Sequence, residues 1–274
     1  MKSRFILNLF LFALVAGLSL FIYLKPKNSA LPEFALSQLS SNTIQHIKIE
    51  KTGQVPVELE QRAGSWFITR PFLARGDQLK IKSLLDILGA HSQQRFDADH
   101  LSRYELDKPL LTLTLNQQTF QFGTINPLSQ AQYVSTGNAV YMIPTRFFAG
   151  ALAQPADFSS KKLLADNEVP VGFDFPNQKF TRTNGTWIAD PISTKLSQDQ
   201  LNSFADEWRM ASALSSQPYD HSTPLNTFSI RLANGKTILM HTLQQQPELI
   251  LLRTDENLQY HFPPEVAKRL LFPY

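Results

Sequence analysis

Two short clusters in this chain set a carboxylate beside an imidazole: Asp97-Ala98-Asp99-His100 and Asp220-His221. Carboxylate oxygen and imidazole nitrogen ligate metal ions, and the same pair can move a proton as acid and base. Either chemistry needs further groups converging from other parts of the chain. The second cluster lacks the extra carboxylate, and loops carry such residues for solvation alone. Asp99, His100, Asp220 and His221 are therefore candidates for a polar site, with no catalytic residue, metal or cofactor assigned. His241 and His261 fall on strands expected to be neighbours, where they could form a site, but a half-exposed sheet face is the favoured account of them.

Two further motifs dissolve on inspection. Gly235-Lys236-Thr237 imitates the end of a phosphate loop, but Ile230 stands where the earlier glycine is required. It lies between two alternating segments, so Asn234-Gly235 reads as a hairpin turn. Asn184-Gly185-Thr186 is a formal glycosylation sequon that also reads as a hairpin turn. Neither Gly-x-Ser-x-Gly nor His-Glu-x-x-His occurs.

The elements around these residues are written twice. Gly64-Ser-Trp66-Phe-Ile leads to Pro71, and Gly185-Thr-Trp187-Ile-Ala leads to Pro191. The tryptophans are offset by 121 (187 − 66) and the prolines by 120 (191 − 71). Ile81, Leu84, Leu85 and Leu88 map onto Leu201, Phe204, Ala205 and Trp208, both at the i, i+3, i+4, i+7 spacing of one buried helix face. Trp66, Trp187, Leu84 and Phe204 mark the repeated core. Asp77 is suited to cap a helix reaching Leu88, and Ser197 with Gln200 makes a capping box for one reaching Trp208. Period-two alternation predicts strands over Ile47/Ile49, Val55/Val57/Leu59 and Trp66–Ile68, over Phe173–Phe175 and Phe180, and over paired runs after each helix: Leu111–Leu115 with Phe120/Phe122, and Phe228–Leu232 with Ile238/Met240. Each unit then closes on a short helix opened by proline, at Pro144 and at Pro263.

The spacing predicts an α+β fold: two duplicated modules, each a mostly antiparallel sheet with a covering helix, behind an N-terminal transmembrane helix. The expected divisions are 1–27 cytoplasmic stub and anchor, 28–42 linker, 43–156 first module, 157–169 connector and 170–274 second module. Pro32 is expected to open a short helix holding Phe34, Leu36 and Leu39. Phe5 to Leu24 is an apolar run of twenty residues (24 − 5 + 1), roughly 30 Å as a helix, the thickness of a hydrocarbon core. Its length exceeds a secretory h-region, and Lys25-Pro26-Lys27 stands where cleavage would fall. Lys2, Arg4 and the amino terminus favour a cytoplasmic start, which puts the bulk of the chain in the periplasm of a bacterial inner-membrane protein.

With 274 residues, 43% hydrophobic and 18% charged, the chain has apolar material for real cores. A net charge of +3 with scattered cations gives no footprint for nucleic acid. The absence of cysteine excludes disulfides, thiol catalysis and thiolate metal sites.

Trp66 with Pro71, the helix from Asp77 to Leu88, Tyr104-x-Leu106-x-x-Pro109, and the strands through Tyr133 and Tyr141 resemble the bacterial membrane-anchored proteins called domain of unknown function 4340. The second module carries Trp187, Pro191 and the helix but lacks the Tyr-x-Leu-x-x-Pro element. The resemblance implies an uncharacterised envelope protein with one amino-terminal anchor. Relatives are often encoded near transport-type ATPases and gliding-type membrane components, which implies an accessory role; no catalytic residues come with the family.

The expectation is thus a non-catalytic accessory or interaction protein whose partners are the membrane and a protein in the inner membrane or periplasm. Two rivals are an envelope ligand-binding protein, with a lipid or glycan fragment held between the modules, and a hydrolase built on the Asp-His loops. The last requires Asp99, His100 and a third polar group within hydrogen-bond reach of one another.

Overall fold

A computed structural model describes residues 2–24, 32–191 and 196–271. Helix α1 spans Lys2–Leu24. The first module contains β1 (Phe34–Ala35), β2 (His46–Lys51), β3 (Val57–Arg62), β4 (Ser65–Arg70), β5 (Ala74–Arg75), α2 (Gln78–Leu85), β6 (His91–Ser92), β7 (Arg95–Asp97), β8 (Leu111–Leu115), β9 (Gln118–Ile125), β10 (Ala131–Thr136), β11 (Ala139–Pro144) and α3 (Arg146–Ala151). The second contains β12 (Pro170–Asp174), β13 (Lys179–Thr183), β14 (Thr186–Asp190), α4 (Gln198–Met210), β15 (Ser215–Pro218), β16 (Asn226–Leu232), β17 (Thr237–Gln244), β18 (Leu249–Arg253), β19 (Leu258–Phe262) and α5 (Pro264–Leu271).

The chain is α+β. Of the two large sheets, one has nine strands in the order β5-β4-β3-β2-β8-β9-β10-β11-β7 and the other eight in the order β14-β13-β12-β16-β17-β18-β19-β15; β1 and β6 form a third, two-stranded sheet. Strand for strand the orders agree, with β5 as the single addition to the first. The pairings are antiparallel, because most neighbours are joined by hairpins. Ala63 and Gly64 turn the first hairpin at φ 48° and 80°, and Asn184 and Gly185 turn the second at 49° and 84°. Two successive positive φ values suit the right-handed strand twist, and only the second pair has the sequence signature for it.

Each helix seats its expected stripe on its sheet. Ile81, Leu84, Leu85 and Leu88 are buried in one module, and Leu201, Phe204, Ala205 and Trp208 in the other. Asp77 accepts from Leu79 and Lys80 N–H, and Ser197 with Gln200 forms the reciprocal capping box. A pairing the stripe does not reveal is shared by both. Gln78 accepts from Trp66 N–H at 3.1 Å and donates to its carbonyl at 3.3 Å; Gln198 does the same with Trp187 at 2.9 and 2.7 Å. A side-chain amide thus completes the edge of each Trp strand and ties helix to sheet.

Several expectations are corrected. Phe34 and Ala35 do not enter a helix from Pro32; they pair with Ser92 and His91, and Leu36 N–H donates to the Ala90 carbonyl, which buries Leu36. A strand here satisfies the backbone and the core together, which an isolated short helix would not. Val55 lies outside β3 and is exposed. Helix α2 ends at Leu85, and a 3-10 turn over Asp86–Gly89 carries Leu88 inward. Pro144 ends β11, and α3 starts after Thr145. The stretch 157–169 carries Phe158, Leu163 and Leu164 into a core cluster continuous through both modules. Ser159 bridges to Gly76 and Lys162 to Ser212, so the stretch touches the β5 end of one sheet and the chain entering β15 of the other.

All described side chains of α1 are exposed, among them Ile6, Leu9, Phe10, Phe12 and Phe21. Among the described residues no helix is long and apolar enough to cross a membrane. The longest unbroken run of described side chains in α1 is 8–21. The side chains of Phe5 and Leu24, the expected limits of the anchor, lie outside the described residues.

Candidate functional site

The densest polar constellation lies where the modules meet. Strand β5 delivers Arg75 from the first; the β18–β19 hairpin delivers Arg253, Asp255, Glu256 and Tyr260 from the second; the connecting stretch delivers Glu168 and two carbonyls. Arg75 Nε donates to Glu256 Oε1 at 2.5 Å, and its Nη2 reaches Tyr260 OH at 3.1 Å and the Lys162 and Leu163 carbonyls at 2.7 and 3.2 Å. Tyr260 OH donates to Glu256 Oε2 at 2.5 Å. Beside it Arg253, 3% exposed at its side chain, grips Glu168 with two bonds of 2.6 and 2.7 Å. Its remaining donors go to Asp255 at 2.9 and 3.0 Å and to the Leu163 carbonyl at 2.8 Å.

The electrostatics follow from burial set against pairing. Burial works against the Arg75 cation, but Tyr260 and Glu256 hold its pKa above the ordinary value. Burial works against Arg253 as well, and its hydrogen bonds to Glu168 and Asp255 raise its pKa. Burial, then the Glu256 charge, pushes the Tyr260 phenol up, so it remains a donor. Burial alone would raise the Glu168 carboxyl; the Arg253 hydrogen bond and the Ala165 N–H hold it below its usual value. Bidentate geometry of this kind satisfies a buried guanidinium and leaves little for a substrate to recruit. At the surface of the junction Phe67, Phe72, Leu73, Ala74, Pro218 and Leu258 line a cleft of about 480 Å³.

The Asp-His pairs lie elsewhere. His100 Nε2 stands 3.8 Å from Asp99 Oδ2, with their side chains 76% and 69% exposed, and no third polar group joins them among the described hydrogen bonds. Asp220 accepts from Ser222 N–H at 3.0 Å, and that backbone bond holds its carboxyl below the usual range. His221 adopts φ 66° and its ring lies 5.0 Å from that of Tyr219. These contacts are turn-making. Among the described residues no group of three or more His, Asp or Glu is placed to hold a metal.

His241 and His261 are not on neighbouring strands: β18 lies between theirs. His241 bonds Thr227 at 2.8 Å and His261 bonds Glu248 at 3.0 Å. Gly235-Lys236-Thr237 leaves a turn in which only Gly235 has positive φ. Trp66 and Trp187 are buried core residues, as are Leu84 and Phe204. Sequence reading missed Arg75, Glu256, Arg253 and Glu168. Their one advance signal is the Arg253-Thr-Asp255-Glu256 charge cluster at a hairpin.

A family model described as a domain of unknown function (DUF4340) matches residues 66–227, from β4 into β16, and so takes in Trp66, Trp187 and Trp208. None of the curated proteins and none of the solved structures matches.

Proposed function

The chain belongs to the DUF4340 family, and on that premise we propose that it is a non-catalytic accessory protein of the bacterial inner membrane. It presents two diverged copies of one α+β module to the periplasm and serves a transport-type membrane complex through protein contacts. The observation that supports this reading is that the described polar groups between the modules are spent on one another. The doubling is supported by the matching strand orders and by the Gln-Trp pairing at Gln78 and Gln198. The anchor is supported by the helix Lys2–Leu24, 23 residues long, roughly 34 Å at the α-helical rise. Its described apolar side chains are exposed, where an aqueous surface would penalise them.

Crosslinking of the full chain in native membranes tests the proposal. Adducts with a membrane protein are expected, and recovery of the monomer alone would count against it. A second reading has one observation in its favour. The cleft at the junction is mostly apolar, which suits a lipid or glycan fragment. A bound amphiphile recovered with the purified protein, and lost on Leu73→Asp, would turn the balance toward that reading.

A further inference from the structure

The junction has a donating half and a receiving half, and the strand correspondence places a second receiving half on the first module. In the second module Arg75 is received by Glu256, Tyr260 and the Leu163 carbonyl, and the rest of its hairpin shares a cleft with Pro218, Asn257 and Leu258. Ladder positions fix the counterparts. Tyr260 pairs with Ser216 as Tyr141 pairs with Arg95, and Leu258 pairs with Pro218 as Ala139 pairs with Asp97. The arm that supplies the carbonyl also has a counterpart. Leu163 N–H donates to Ala211 as Leu36 N–H donates to Ala90, and the Lys162–Ser212 bridge matches the Ala35–His91 pair.

The first module's version of this surface is an open hollow of about 310 Å³ lined by Leu36, Ser37, Arg95, Asn138, Ala139 and Tyr141. Among the described residues nothing occupies it. Strand β7 is the last strand of its sheet, so it offers unpaired backbone groups along one side. The charge has changed sign between the two versions. Where the second module receives Arg75 with Glu256, the first has Gly137; where the second has Ser216, the first has Arg95, the one charged residue among the described lining of the hollow. Arg95 is exposed and has no salt-bridge partner among the described residues.

We propose that this hollow is a docking edge for a β-hairpin of another protein, held as the second module holds β4–β5, with a partner carboxylate facing Arg95. The occupant follows from charge complementarity and from the internal junction that serves as its template. A second copy of this chain is disfavoured. The donor hairpin of another copy carries Arg75, which would meet Arg95 with like charge. The proposal rests on the interaction reading above and assigns it a face and a partner chemistry.

The test uses the full-length protein and a cyclised peptide of its own donor hairpin, residues Gly64–Asp77, in two forms: unchanged, and carrying Arg75→Glu. The Arg75→Glu peptide is expected to bind wild-type protein and to weaken on the order of tenfold against Arg95→Glu, while the unchanged peptide shows the opposite preference. Asn138→Trp, which fills the hollow, should abolish binding of both. Equal binding to wild-type and Arg95→Glu protein, or binding of neither peptide, would overturn the proposal. So would concentration-dependent self-assembly of wild-type protein that Arg95→Glu alters, since that outcome names a second copy. A photocrosslinker at position 138 separates the two levels: a membrane partner captured from other positions but never from 138 leaves the accessory role standing and removes this face from it.

Discussion

Helices α2 and α4 sit on equivalent sheets with the same four-residue stripe, yet their seats are built from different side chains. Under α4, Phe173, Phe175, Phe204, Trp208 and Phe228 make a packed aromatic cluster, with Trp208 5.5–6.3 Å from the other four rings. Its indole N–H donates to the Leu270 carbonyl and ties α4 to α5. Under α2, β2 supplies Ile47 and Ile49, and Leu88 takes the Trp208 position from a 3-10 turn. The bulkier seat holds a helix of 13 residues, the leaner one a helix of 8. A periodic pattern specifies which face is buried; the volume behind that face decides how far the helix runs.

The largest expected effect is at the Trp208 position. Trp208→Ala should cost about 4 kcal/mol, the range for deleting a fully buried aromatic, with an added loss for the orphaned Leu270 carbonyl. Leu88→Ala should cost about 2–3 kcal/mol. Urea unfolding of each variant measures both, and equal costs would mean that the two seats are energetically alike. Next come the shared glutamines. Gln78→Ala and Gln198→Ala should each cost about 1–3 kcal/mol, because each orphans a Trp backbone N–H, although the Trp66 carbonyl keeps its bond from Gly76 N–H. A cost at one site alone would separate modules whose geometry here is the same.

A smaller effect tests how the halves are joined. The Glu168 carboxyl lies below its ordinary value of 4.5 in the folded protein. Its contribution is present above that pH and is lost as pH falls through the lowered folded value. Acid titration below pH 4.5 should therefore loosen hydrogen-exchange protection around Leu163 before it loosens either sheet centre, and Glu168→Gln should flatten that limb. Simultaneous loss everywhere would show that the junction is no weaker than the modules. The smallest pair concerns the caps: Asp77→Ala and Ser197→Ala should each cost about 1 kcal/mol by thermal melting. A larger loss at Ser197 would mean that the Gln200 half of its capping box matters as well.

Much of each module was legible because its signals are local. The helix stripes, the Asp77 and Ser197 caps and the Asn184-Gly185 turn all lie within a few residues of what they control. The Phe34–Ala35 strand was not, since its partner His91–Ser92 is remote and two residues carry no period. The Arg75–Glu256 pair was hidden more deeply: it spans 181 positions, and charged residues at hairpins are ordinarily solvated. Asp99 and His100 drew attention through residue type alone, and convergence is what type cannot supply.

Composition and periodicity alone determined that this chain builds mostly antiparallel strands with covering helices and has no thiol chemistry, because side-chain alternation and capping act over a handful of bonds. Only the tertiary structure decided which edges meet, which charges are buried together and which receiving surface stays open. Those outcomes depend on long-range closure, where the free energy lies in desolvating specific partners that the order of residues does not bring together.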